Sequence, residues 1–179
     1  GALGVGIGSD WAVLGDRPPL GGVQIGAWQT FPRMGAADID PYGRAILARE
    51  PHMPLAAGEG LQFVARADEA GLALTGACRY RVTGVTLPSR GWTLTVADRS
   101  DRALTGPEAA ALGDADMVAT ELGTIAIAVR AQVASGNWLR VPPSERFSLI
   151  LRFYDTPSAS GVERLSDEAL PRIERVSCG

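Results

Sequence analysis

The chain has 179 residues, 46% of them hydrophobic, a formal net charge of -3 and a pI near 5.2. This suits one domain with a sizeable core and offers no general electrostatic attraction to nucleic acid or anionic lipid. All 17 basic residues are arginine, and the only two cysteines, Cys78 and Cys178, with no CxxC and a single histidine, His52, argue against an ordinary zinc cluster, so neither metal nor cofactor is expected.

Residues 1–8, Gly-Ala-Leu-Gly-Val-Gly-Ile-Gly, are small and apolar. They fall far short of the roughly 20 residues of a spanning helix. They read either as the trimmed end of one, with Gly4 and Gly8 at GxxxG spacing and Trp11 near the interface, or as a glycine-rich terminus. Pro18-Pro19 and Gly21-Gly22 mark a linker. The predicted division is therefore 1–22 as membrane-anchor remnant and linker, and 23–179 as a single β-sandwich domain.

Alternation of Val23, Ile25 and Ala27 predicts a short strand over 23–31. Asp40 as cap, Pro41 at the first helical position and Glu50-Pro51 as a stop predict a helix near residues 40–50, with Tyr42 and Ile46 on its packing face. The period then changes to two: Leu61, Phe63 and Ala65 face one way, Asp68 to Gly71 make a turn, and Leu72 to Val82 form the return strand of a long hairpin. Residues 91–98 predict a strand with Trp92, Leu94 and Val96 inward. The Ala-rich stretch from Pro107 to Leu112 reads as one or two helical turns, and 124–133 as a strand through Ile125, Ile127 and Val129. Residues 136–155 organise the rest: a turn carrying Asn137-Trp138-Leu139, the Pro142-Pro143 brake, then a strand with Phe147, Leu149, Leu151 and Phe153 on one face. A closing strand over 171–176 sets Ile173 and Arg175 opposite Glu174 and Val176. The fold expected is mainly β, a jelly-roll-like antiparallel β-sandwich with one capping helix near residues 40–50.

Chemistry is sparse. The chain has no GxSxG, HExxH, P-loop or GxGxxG motif. His52, in a proline-flanked loop, reads as a surface side chain rather than a triad base. Glu59, Asp68, Asp98 and Asp155 are the carboxylates available to a glycosidase pair, or else strand-end and turn residues. Arg79, Arg81, Arg130 and Arg152 lie within predicted strands. If their outward faces adjoin they form a cationic patch for a sugar acid, a phosphate or a partner's carboxylates, and otherwise they solubilise a sheet face. Trp92 and Trp138 read as core rather than sugar platforms, which makes Asp40, Trp92, Trp138 and Phe147 structural positions and leaves no residue assigned to catalysis.

The stretches Asp40-Pro41-Tyr42-Gly43-Arg44-Ala45, Glu59-Gly60-Leu61-Gln62-Phe63, Arg90 to Asp98, Gly136-Asn137-Trp138-Leu139 and Phe147 to Asp155 resemble the bacterial family catalogued as domain of unknown function 1214. The likeness runs from about Trp28 to the end, with a more apolar turn at Glu121-Leu122-Gly123-Thr124 than the family pattern has. It implies a jelly-roll-like fold and a single N-terminal membrane anchor that holds the domain on the periplasmic side of the inner membrane. It also implies occurrence as the C-terminal part of two-domain envelope proteins, and it implies no activity. If the domain is exported, Cys78 and Cys178 meet an oxidising compartment, and a bridge would tie the chain's end to the body. The alternative is a small core residue and a free tail thiol. The function expected is envelope-associated and non-catalytic, binding a glycan or another envelope protein and no nucleic acid. The alternative is a hydrolase acting on cell-envelope carbohydrate through paired carboxylates.

Overall fold

The computed structural model describes residues 22–30, 60–118 and 124–179. The expectations for residues 1–21, the helix from Asp40, His52 and Glu59 lie outside the described residues. Strands β1 (Val23–Ile25), β2 (Trp28–Thr30), β3 (Gly60–Ala65), β4 (Cys78–Val85), β5 (Gly91–Asp98), β6 (Ala111–Gly113), β7 (Thr124–Arg130), β8 (Trp138–Arg140), β9 (Phe147–Tyr154) and β10 (Arg172–Cys178) follow in chain order. They form a six-stranded sheet, β1-β2-β3-β9-β5-β6, and a four-stranded sheet, β10-β4-β7-β8. From β3 onward the chain passes repeatedly from one sheet to the other, as a jelly-roll-like sandwich requires. Every pairing is antiparallel except that of β7 with β8.

The core lies between the sheets, where each strand contributes the apolar half of its alternation. Phe147, Leu149, Leu151 and Phe153 of β9 meet Tyr80, Val82, Ile127, Val129 and Ile173 from the opposite sheet, all nearly inaccessible to solvent. Phe63 and Phe153 pack edge to face at 6.0 Å, and Tyr80 meets Phe147 at 5.9 Å across the sandwich. Burying one such side chain contributes about 1.5 to 3 kcal/mol, so this two-sided closure is what makes the alternating strands stable. Trp92 also lies in this core. Trp28 reaches through it to donate its indole N–H to the Pro171 carbonyl at 2.8 Å.

Three local expectations are corrected. The first strand is instead a tight hairpin, β1-β2, in which Ile25 pairs with Trp28 around Gly26 at φ +58°. The Ala-rich stretch makes a 3-10 turn at Gly106–Glu108 and then becomes β6, because the edge of β5 offers Ala111–Gly113 a ladder to complete.

The third correction concerns the long hairpin. β3 pairs with β2 and β9, and β4 belongs to the other sheet. Period-two alternation records which way residues face, not which strand they pair with. Only the first rung forms, Ala67 opposite Ala73, and Leu72 is exposed. The segment then bridges Thr75 to Arg146, with Gly76 so close to Pro142 that a Cβ would fall 1.7 Å from its carbonyl oxygen, before turning into β4.

The turn at Asp68 steers this transfer. Its carboxylate is almost fully buried, accepts the N–H groups of Ala70 and Leu72, and pairs with Arg175 of β10 at 3.0 Å. Arg175 also donates to the Ala73 carbonyl and stands over the Tyr80 ring. Glu69 grips Ile173 twice, donating its own N–H to the Ile173 carbonyl and accepting the Ile173 N–H on its carboxylate.

At the end of β10 the chain is bridged to β4 by a disulfide between Cys78 and Cys178. A bulge determines the match. Arg172 to Arg175 pair in one register with Thr83 to Tyr80, the register shifts at Val176, and Ser177 and Cys178 then oppose Arg79 and Cys78. Were Val176 to pair with Arg79 instead of bulging, Ser177 would stand opposite Cys78 and Cys178 would point away. Closing a loop of 100 residues contributes about 4.7 kcal/mol in the chain-entropy view.

Two outcomes follow. Deleting Val176 removes the bulge and keeps Cys178 opposite Cys78, so the bridge should persist, whereas an alanine inserted between Ser177 and Cys178 should carry the cysteine past Cys78 and leave two free thiols in denatured, unreduced protein; thiol titration and mass after alkylation read both. Asp68→Ala, which takes the carboxylate from half-buried Arg175 and the acceptor from the N–H groups of Ala70 and Leu72, should cost about 3 kcal/mol in denaturant unfolding at neutral pH.

Candidate functional site: an arginine-lined sheet face

The inward phase of β4 is taken by Cys78, Tyr80 and Val82, so Arg79 and Arg81 project from the outer face of the four-stranded sheet. On β7 the inward Ile125, Ile127 and Val129 leave Ala126, Ala128 and Arg130 outward. On β8 Leu139 is inward, and Trp138 and Arg140 are outward. The ladders align these residues. Glu174, Arg81, Ala128 and Trp138 form one row across the sheet, and Arg130 stands directly opposite Arg140 in the next part of the face.

Arg79, Arg81 and Arg140 are exposed, and Arg130 is half-buried. The ion pairs among the described residues are Arg66 with Asp101, Arg90 with Asp155, Arg172 with Glu174 and Arg175 with Asp68. None of the four outer-face arginines just named is among them. Glu174 stands opposite Arg81 in the ladder, but its carboxylate lies 3.5 Å from Arg172. Arg130 donates to the carbonyls of Gln132 and Val133, which holds it in place without neutralising it. Like charges opposite one another on neighbouring strands oppose folding, so Arg130 and Arg140 impose a cost that the fold tolerates.

Trp138 is half-buried against this face and donates its indole N–H to the Arg130 carbonyl at 3.0 Å. Its neighbour Asn137 fixes the entry to β8, with its side chain bonded to both the N–H and the carbonyl of Val118 and to the carbonyl of Ala126. Between β4 and β8 the small Ala126 and Ala128 leave the middle of the face low.

Of the arginines singled out in the sequence, Arg79, Arg81 and Arg130 come together and Arg152 does not. It lies on β9 in the other sheet, donates to Gln62 at 3.0 Å, and has its pKa lowered by desolvation, with Tyr154 acting in the opposite sense. Arg140 is the residue sequence reading missed. The phase was legible, since an inward Leu139 implies an outward Arg140, but three residues before a double proline carry no period of their own.

The described carboxylates have local roles. Asp68 is the buried partner of Arg175, Asp98 accepts the N–H groups of Ser100 and Arg102 in a turn, and Asp155 pairs with Arg90 at the surface. Phe147 lies in the core, and Asp40 is outside the described residues. No group of side chains able to hold a metal ion occurs among the described residues. No helix among them is long and apolar enough to cross a membrane.

Fold and face together define a β-sandwich domain with a cationic outer sheet. The family model described as protein of unknown function (DUF1214) matches residues 59–158, more than half of the chain, and the chain belongs to that family. It is similar to the crystal structure of the VPA0106 protein from Vibrio parahaemolyticus, at 22% identity and a TM-score of 0.60, over 80% of this chain and 36% of that one. It is also similar to an uncharacterized protein from Burkholderia cenocepacia, at 21% identity and a TM-score of 0.46, over 80% of this chain and 46% of that one. The first likeness shows the fold alone, and the chain spans less than half the length of either solved protein. No curated protein matches it.

Removing one member of the opposed arginine pair should relieve repulsion. Arg140→Gln should raise stability by about 0.5 kcal/mol at low ionic strength, and the gain should shrink in 0.5 M salt. Thermal melting at the two salt concentrations checks this.

Proposed function

We propose that this chain is an exported, envelope-associated binding domain without catalytic activity. It docks an acidic glycan, or the acidic surface of another envelope protein, on the outer face of the four-stranded sheet. The observation that carries the reading is the group Arg79, Arg81, Arg130 and Arg140 on one face, with no carboxylate partner among the described residues. A solvated sheet face normally mixes charges of both signs, and an opposed arginine pair that works against stability points to a ligand that supplies the missing anions. Guanidinium groups donate in a planar fork suited to carboxylates and phosphates. They hold their protons near neutrality, so this face binds rather than performs acid–base chemistry.

Export is supported by the Cys78–Cys178 bridge, which suits an oxidising compartment such as the periplasm. A tether N-terminal to the sandwich, at the inner membrane, completes the reading.

Co-sedimentation with isolated bacterial envelopes tests it. Wild-type protein should pellet with the envelopes in a salt-sensitive manner, and the triple variant Arg79→Gln, Arg81→Gln, Arg140→Gln should remain in the supernatant. An Arg99→Gln, Arg102→Gln control, altered at exposed arginines of the turn after β5, should behave as wild type. Equal pelleting of the triple variant would remove the face from the reading.

A further inference from the structure

The outer face has more shape than its charge alone conveys. β7 runs along its middle with Ala126 and Ala128 outward, while β4 on one side carries Arg81 and β8 on the other carries Trp138. Neighbouring strands lie about 4.8 Å apart, so these two walls stand about 9.6 Å from each other across an alanine floor. One end of the trough is lined by Arg79, Arg130 and Arg140. Arg79 and Arg81 are two residues apart on one strand, hence about 6.7 Å apart along it.

We infer that this trough is a subsite for a linear polysaccharide carrying uronic-acid carboxylates, an inference that rests on the binding role assigned to the face above. An indole beside a shallow floor offers an apolar plate for the C–H face of a sugar ring. The guanidinium groups around it match carboxylates repeated along the polymer. Trp138 is held for this purpose at both ends of its local chain. Its N–H is bonded to the Arg130 carbonyl, and Asn137 is pinned to Val118 and Ala126. A folded protein partner is the poorer match. Protein interfaces place an apolar, charge-depleted core at their centre, whereas the centre here is two alanines ringed by arginines with no carboxylate partner among the described residues. An extended peptide adds to an open strand edge, and the trough lies on a face.

Three probes of matched length separate the possibilities: polygalacturonate, its fully methyl-esterified form, and poly-L-glutamate. By calorimetry at 0.1 M salt, polygalacturonate should bind the wild-type chain, and esterification should weaken it at least about tenfold. Arg81→Gln and Arg140→Gln, both exposed positions expected to melt no lower than wild type, should each weaken polygalacturonate about tenfold. Trp138→Phe should weaken polygalacturonate and leave poly-L-glutamate unchanged. Poly-L-glutamate bound as tightly as polygalacturonate would overturn the sugar inference while leaving an anion-binding face in place. Binding of the ester equal to that of the acid would overturn the inference as well. Failure of all three probes would remove the binding role of the face itself.

Discussion

The buried carboxylate of Asp68 is the point on which this sandwich turns. A chain leaving β3 in an alternating pattern would ordinarily fold back on itself as a hairpin, and that hairpin would use up one edge of β3 and merge the two sheets into one. Asp68 prevents this by holding the N–H groups of Ala70 and Leu72 in a tight turn while Arg175 draws the turn onto β10. Glu69 fastens the same turn to Ile173 from both sides of the peptide group. The return segment is thereby delivered to the second sheet, and β3 is left free for β9. A buried charge is costly unless it is paired and hydrogen-bonded, and here the carboxylate is both.

Much of this architecture is legible in the sequence, and the boundary of what is legible has a physical cause. The inward residues of β5, β7 and β9 follow from alternation because those strands are seven or eight residues long and bury one face completely. Partner choice does not follow from alternation. The same period suits any neighbour, which is why residues 61–82 read as one hairpin when they belong to two sheets. The bulge at Val176 is equally silent, since one residue carries no periodic signal, yet it is what brings Cys178 opposite Cys78. For the candidate site, the outward phase of Arg79, Arg81 and Arg130 was readable. Their meeting with Trp138 and Arg140 depended on the parallel pairing of β7 with β8, a contact set by Asn137 and not by any pattern in β8 itself.

The two sheets differ in how they treat charge on their outward sides. On the six-stranded sheet Arg66 is matched by Asp101 and Arg152 by the amide of Gln62, so that each guanidinium has a partner within the protein. On the outer face of the four-stranded sheet Arg172 has its carboxylate, and the arginines nearer β8 stand without one among the described residues. The unevenness sets a direction across the face, from a neutralised margin at β10 to a cationic margin at β8. An anionic polymer would settle toward that second margin, where the indole also lies.

The exclusive use of arginine in this chain carries over into how its surface responds to acidity. With no lysine in the sequence and guanidinium groups that stay protonated up to about pH 12, the cationic margin has the same charge in acid as in mild alkali. Acidification therefore acts as a gauge of whatever lies on the sheet. A carboxylate-bearing layer would release as its own groups take up protons near pH 4, while a phosphate monoester would first lose part of its grip near pH 6. The protein contributes a fixed electrode, and the midpoint of detachment belongs to the material attached to it.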